Sequence, residues 1–114
     1  MKNLLSIAVL FLFFTTLSIA QDKVAEIEFK VFGNCNMCKN RIEKTLKIKE
    51  VKLAKWDKKS KVLKVAYLKD EITIDSLKHR LAEVGHDTDK FKAADSVYIK
   101  LPNCCLYRDS ENTH

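Results

Sequence analysis

Proline and glycine are nearly absent from this sequence, with one proline, Pro102, and two glycines, Gly33 and Gly85, in 114 residues. No proline- or glycine-rich linker divides the chain, and it carries no internal repeat and no low-complexity segment, so nothing marks a second folding unit. Concentrated charge is lacking too. Lys39, Lys44, Lys47, Lys49, Lys52, Lys55, Lys58, Lys59, Lys61 and Lys64 are scattered. Nucleic-acid binding needs basic residues gathered on a groove-reading or base-stacking element, so no nucleic-acid partner is expected. These lysines read as solvated faces, with a docking surface for an acidic protein as the alternative.

The one long apolar run lies at the N-terminus. Lys2 is the only charge before it, Leu4 to Leu17 is interrupted only by Ser6, Thr15 and Thr16, and Ser18-Ile19-Ala20 supplies a small-x-small end. That is the pattern of a secretory signal peptide over residues 1–20, cleaved after Ala20. An uncleaved anchor is the alternative, but the run is at the short limit for spanning a bilayer. No cysteine follows it, so a lipoprotein attachment site is absent. The expectation is a periplasmic or secreted protein with no membrane insertion after cleavage. Removing Lys2 leaves 20 Lys+Arg against 15 Asp+Glu, so the net charge falls from +6 to +5. The remainder, Gln21 to His114, suits one domain with one modest core.

Along that remainder, Ile27, Phe29 and Val31 alternate with Glu26, Glu28 and Lys30, which predicts a half-buried strand. Gly33-Asn34 breaks it, and from Cys38 a helical pattern runs through Ile42 and Leu46. Val51–Asp57 and Lys61–Leu68 read as a hairpin closed by Asp57-Lys58-Lys59-Ser60, with Ala54, Trp56, Leu63, Val65 and Tyr67 on inward faces. Trp56, Phe29 and Tyr67 are therefore core candidates, not a base-stacking platform. Thr73 caps a second helix whose stripe is Leu77, Leu81 and Val84, and Gly85 ends it. A last strand over Lys90–Ala93, with Phe91 inward, completes βαββαβ. The fold class expected is α+β, a ferredoxin-like sandwich of a four-stranded antiparallel sheet with two helices on one face. The domain spans 21–94, and 95–114 is a C-terminal extension. In it Asp95 caps a helical turn over Ser96–Lys100, Pro102 stops it, and Arg108 to His114 reads as a frayed polar end.

Chemistry concentrates in four cysteines, Cys35, Cys38, Cys104 and Cys105. An exported small protein first suggests disulfides. Two close pairs suit ligands better than a framework of staples, though a cross-link between the pairs stays open. Cys35 and Cys38 leave a strand and open a helix, where free N–H groups and the dipole favour thiolate; Lys39 and Arg41 add positive charge. Two thiolates on one loop suit a soft ion of low coordination, Cu(I) or Hg(II), rather than Fe(II) or Zn(II). All four cysteines closing around Zn(II) as a structural module is a further alternative.

The segment Gly33-Asn34-Cys35-Asn36-Met37-Cys38, between strand and helix in βαββαβ order, resembles the heavy-metal-associated domain family over about Ala25 to Ala93. That family includes copper metallochaperones, the N-terminal domains of copper-transporting ATPases and a periplasmic mercury-binding protein. Two places depart from its usual pattern: Gly33-Asn34 where Met-Thr is common, and Gly85-His86 where Gly-Tyr is common. The tail Lys100-Leu101-Pro102-Asn103-Cys104-Cys105 is similar to a Bacteroidetes-type variant. The resemblance implies a monomeric metal carrier or scavenger, not an enzyme, which binds its metal through Cys35 and Cys38 and passes it to a partner protein. Cys104, Cys105 and His86 are further candidate ligands, His86 also as a donor behind the ligands. Met37 is weighed as a thioether ligand against ordinary loop packing. His79 reads as exposed, and His114 is given no role. A thiol–disulfide oxidoreductase is the rival class, but the Trp-Cys-Gly-Pro-Cys pattern is missing and Pro102, the single proline, provides no facing cis-proline loop.

Overall fold

The computed structural model describes residues 23–109. The signal-peptide segment 1–20 and His114 lie outside the described residues. No helix among the described residues is long and apolar enough to cross a membrane.

Strand β1 (Val24–Lys30) alternates as its sequence requires, with Phe29 buried and the charged residues outward. Helix α1 spans Asn36–Thr45 and buries Cys38 and Ile42. Strands β2 (Val51–Trp56) and β3 (Val62–Leu68) form the hairpin. Its turn is held by the Asp57 carboxylate, which accepts hydrogen bonds from the amides of Lys59 and Ser60 and from the Ser60 hydroxyl. Helix α2 (Ile74–Glu83) starts where the Thr73 hydroxyl accepts the Ser76 amide, at 3.1 Å. It ends in a Schellman arrangement: the Gly85 amide donates to the Ala82 carbonyl and the His86 amide to the Leu81 carbonyl, both at 3.0 Å. Gly85 sits at φ +106°, which glycine adopts without the Cβ clash of other residues. That turn sends His86 inward.

The sheet is antiparallel in the order β1-β3-β2, with Phe29 opposite Leu63 and Trp56 opposite Leu63 on the other side. The core is formed by Phe29, Val31, Ile42, Leu46, Trp56, Leu63, Val65, Leu77 and Leu81. Tyr67 is half-buried at its margin. The expected fourth strand over Lys90–Ala93 is not present among the described residues, and its reason is local. The Thr88 amide donates to the Phe91 carbonyl, and the Thr88 hydroxyl accepts the amides of Lys90 and Phe91. The Asp87 carboxylate takes the Ala93 amide at 2.7 Å. Amides that would have joined β1 are satisfied by side chains instead. What remains of the pairing is one bridge, Val31 to Thr88, and the Phe32 amide on the Asp87 carbonyl. Phe91 is half-buried, edge-on to the exposed His79.

From there the chain turns back through helix α3 (Asp95–Tyr98) and a 3-10 turn at Asn103–Cys105, which packs against α1. The frayed end expected from Arg108 is corrected at that residue. Arg108 donates to both Asp87 carboxylate oxygens, to Asp95 at 2.9 Å and to the Ala93 carbonyl, and lies over the Tyr98 ring. Its own amide donates to the Tyr98 hydroxyl.

Candidate metal centre

Cys35 is the N-cap residue of α1, with extended backbone, and its side chain makes no capping bond. Its carbonyl accepts the Lys39 amide, so the helix begins there while the thiol stays free. Cys38, one turn into α1, is fully buried, and the Asn34 amide points at its sulfur at 3.5 Å. Gly33 makes this loop possible. A Cβ there would meet the Cys38 Cβ at 3.0 Å and the Trp56 ring at 3.2 Å. Trp56 forms the floor, and its indole N–H donates to the Val31 carbonyl at 2.9 Å.

The tail brings the second pair to the first. Cys35 Sγ is 3.3 Å from Cys38 Sγ, 3.1 Å from Cys105 Sγ and 2.8 Å from Cys104 Sγ. Cys38 and Cys105 are joined as a disulfide, with Cα atoms 5.8 Å apart, while Cys35 and Cys104 are free thiols. The cross-link between the two pairs, left open by the spacing alone, is therefore the arrangement found. The sulfurs of Cys35, Cys38 and Cys105 lie within 4.8 Å of one another and form a set able to hold a metal ion. Cys104 is exposed, outside that set, with its sulfur 3.9 Å from Cys105 and 3.6 Å from Met37 Sδ.

Of the two cations expected near the loop, only Arg41 faces it, with Nη1 3.6 Å from Cys105 Sγ. Lys39 turns away, donating to the Trp56 carbonyl and pairing with Glu43, which itself accepts the Trp56 amide. That contact locks α1 to β2. A cation not singled out in the sequence packs on the floor residue Trp56 instead. Lys61, at φ 64°, lies over the Trp56 ring, and its buried ammonium has no hydrogen-bond partner among the described residues. Burial and Lys58 push it towards the neutral form, while Asp57 and Cys35 act against that.

His86 is fully buried but not a member of the sulfur set. Its Nδ1 lies 2.9 Å from the Phe32 carbonyl, which can only accept, so Nδ1 carries the proton and Nε2 is left without a partner. Burial pushes its pKa down to about 4, so the ring is neutral at pH 7. It stacks on Tyr107, a residue the sequence reading passed over. The Tyr107 hydroxyl donates to the Gly85 carbonyl at 2.6 Å and accepts the Asp87 amide at 2.8 Å. Burial raises its pKa. Burial alone would raise Asp87 as well, but the hydrogen bonds from Arg108 and the Ala93 amide hold its carboxyl below its ordinary range. One signal for this latch was present: Val97, Tyr98, Ile99, Leu101, Leu106 and Tyr107 give the extension more large apolar side chains than a solvated tail needs.

A two-layer α+β domain with a sulfur cluster at a helix start defines a soft-metal-binding domain, and solved structures share the fold. A CopZ metallochaperone aligns over 56% of this chain and 98% of its own, with TM-score 0.54 and 23% identity. A protein of Bacillus anthracis described as copper-ion-binding aligns over 60% and 100%, with TM-score 0.56 and 20% identity. The N-terminal domain of a potential copper-translocating P-type ATPase from Bacillus subtilis, solved in its Cu(I)-loaded state, aligns over 65% and 95%, with TM-score 0.55 and 30% identity. No protein-family model matches the sequence, and no curated protein sequence matches it. This chain belongs to the heavy-metal-associated domain family.

Proposed function

We propose that this protein binds Cu(I) through Cys35, Cys38 and Cys105 and acts outside the cytoplasm as a carrier or scavenger, not as an enzyme. The observation that carries this reading is the convergence of three cysteine sulfurs within 4.8 Å at the start of α1. Thiolates are soft donors, and a set of two or three suits Cu(I), with Hg(II) or Zn(II) as the competing ions. The copper proteins that share the fold support the same choice. A half-exposed Cys35 leaves one ligand within reach of a partner's thiols, as hand-over requires. His86 supports the loop from behind through the Phe32 carbonyl. Export after Ala20 rests on the N-terminal sequence alone.

The metal-competent form is the reduced one. Opening the Cys38–Cys105 disulfide takes two electrons and two protons, as a dithiol reductant supplies while becoming a disulfide itself. Each thiol then releases a proton to solvent as it binds metal. The same disulfide favours the rival reading of a thiol–disulfide exchanger, because Cys35 touches both bonded sulfurs.

One experiment separates these. Protein purified anaerobically from the periplasm is assayed for intact mass, metal content and Cu(I) affinity, beside a Cys35→Ser/Cys38→Ser variant. The expected result is a chain starting at Gln21 that holds Cu(I) against a strong chelator, and a folded variant that does not. A variant that retains tight Cu(I) sinks the assignment. Catalytic disulfide reduction by a wild type that holds no copper establishes the exchanger instead.

A further inference from the structure

The donors near the loop number more than one ion uses. Besides the buried set of Cys35, Cys38 and Cys105, an outer set lies on the surface. Cys104 Sγ is 2.8 Å from Cys35 and 3.6 Å from the thioether of Met37, which is 51% exposed. The two sets share one atom, Cys35 Sγ. We infer that the site holds two Cu(I) ions, an inner one on Cys38, Cys105 and Cys35 and an outer one on Cys35, Cys104 and Met37, bridged by the Cys35 thiolate. This rests on the Cu(I) reading above and concerns its capacity.

Three arguments support two ions over one. The first is geometric. Tetrahedral zinc with Zn–S bonds of about 2.3 Å spaces its four sulfurs about 3.8 Å apart. Here Cys104 falls outside the set whose members all lie within 4.8 Å, so four thiolates do not close around a single centre. The second is donor chemistry. Met37 stands beside Cys104, and a thioether with thiolates selects Cu(I) rather than Zn(II). Its exposed position needs no packing explanation. The third is charge. Four thiolates with one Cu(I) leave three negative charges, whereas two Cu(I) leave two. Arg41, 3.6 Å from Cys105, is the cation that faces the cluster, so the smaller residual charge is the better matched. Buried charge is tolerated when matched.

The consequence is functional asymmetry. The inner ion is shielded by Cys38 and Cys105, both fully buried. The outer ion sits on an exposed thiolate and an exposed thioether, and is the one a partner's thiols reach first.

The test is an anaerobic Cu(I) titration of the full chain, reduced with dithiothreitol and desalted, in competition with a chromogenic Cu(I) chelator and followed by gel filtration. Wild type is expected to take two equivalents while monomeric. Cys104→Ser is expected to take one, with its first affinity within about threefold of wild type. Met37→Leu is expected to weaken the second equivalent by about tenfold and leave the first unchanged. X-ray absorption should show a copper–copper shell that appears only with the second equivalent. Saturation of wild type at one equivalent, two equivalents retained by Cys104→Ser, or dimerisation at the second equivalent overturns the inference while leaving the Cu(I) reading standing. No tight Cu(I) in wild type overturns both.

Discussion

Replacing Tyr107 by Phe tests whether the tail is latched as described. The change removes one oxygen and keeps the ring's stacking contacts with Phe32 and His86. That oxygen donates to the Gly85 carbonyl and accepts the Asp87 amide, and all three residues are buried. Each buried polar group left unpaired costs about 1–3 kcal/mol, so two orphans cost about 2–6 kcal/mol in the folded chain. The loss is capped by local opening. If the tail detaches, both groups regain water, and only the tail's own contacts are forfeited. In the oxidised chain the Cys38–Cys105 bond tethers the tail two residues before Tyr107 and limits that escape, so more of the cost should appear in global unfolding than in the reduced chain. In the reduced chain the tail should open first, with amide exchange at Asp87 and Arg108 accelerating before the sheet responds.

The assay is urea unfolding of oxidised Tyr107→Phe beside wild type. With a slope of about 1–2 kcal/mol/M for a domain of this size, the midpoint should fall by about 1 M or more. Tyr67→Phe is the control. Tyr67 is half-buried at the sheet margin, and the same atom lost there should move stability by less than about 0.5 kcal/mol. A Tyr107→Phe midpoint within about 0.3 M of wild type refutes the reasoning, because it means that water replaces the hydroxyl and the tail is not fixed there.

The remaining predictions concern pH and backbone. His86 has a folded pKa of about 4 against 6.5 unfolded, so the unfolded chain takes up its proton first as pH falls, and stability drops between pH 6.5 and 4 by about 3 kcal/mol. Arg41 and Asp87 act on the ring in opposite directions, and Asp87, with its own pKa lowered from 3.8, adds its loss only below that window. Urea unfolding of wild type and His86→Gln at pH 7 and pH 4.5 checks this; equal pH sensitivity in both would show that the ring is not held neutral by burial. Gly85→Ala should cost about 2 kcal/mol or more, from φ +106° and from a Cβ placed 2.9 Å from Leu101 Cδ2, and a cost under about 0.5 kcal/mol in the same assay would contradict the close approach.

Local signals were legible where one residue type decides one conformation. The alternation of Ile27, Phe29 and Val31 marks β1, Thr73 and Gly85 bracket α2, and the Asp57 turn closes the hairpin. Cys35 and Cys38 fall where the strand-to-helix pattern puts them. The fourth strand was misjudged because Lys90–Ala93 is short and has no alternation strong enough to outweigh side-chain capture of its amides by Thr88 and Asp87. Arg108 was read as solvated because nothing in the sequence says that Asp87, twenty-one residues earlier, faces it. Lys39 was expected beside the thiols and turns away for the same reason. Whether Lys39 faces the sulfurs depends on the packing of α1 against β2, not on distance along the chain.

The missing strand and the cysteine tail belong to one arrangement. Had residues 87–94 paired fully along β1, the chain would have left the sheet at the end far from the Cys35 loop, and Cys104 and Cys105 would have needed a long return. Instead the chain keeps contact with the loop end of β1 through Thr88 and turns on Asp87, whose carboxylate holds the Ala93 amide on one side and Arg108 on the other. One carboxylate therefore anchors both ends of the returning segment. Between those anchors, Tyr98 and Leu101 bury against the core, and Leu101 fills the space that Gly85 leaves open. Apolar burial of about 1.5–3 kcal/mol for such a side chain offsets part of the ladder hydrogen bonding that β1 forgoes. The position of Cys105 thus follows from packing on both sides of it, with Leu101 before and Tyr107 after, so the donor is in place before any metal binds.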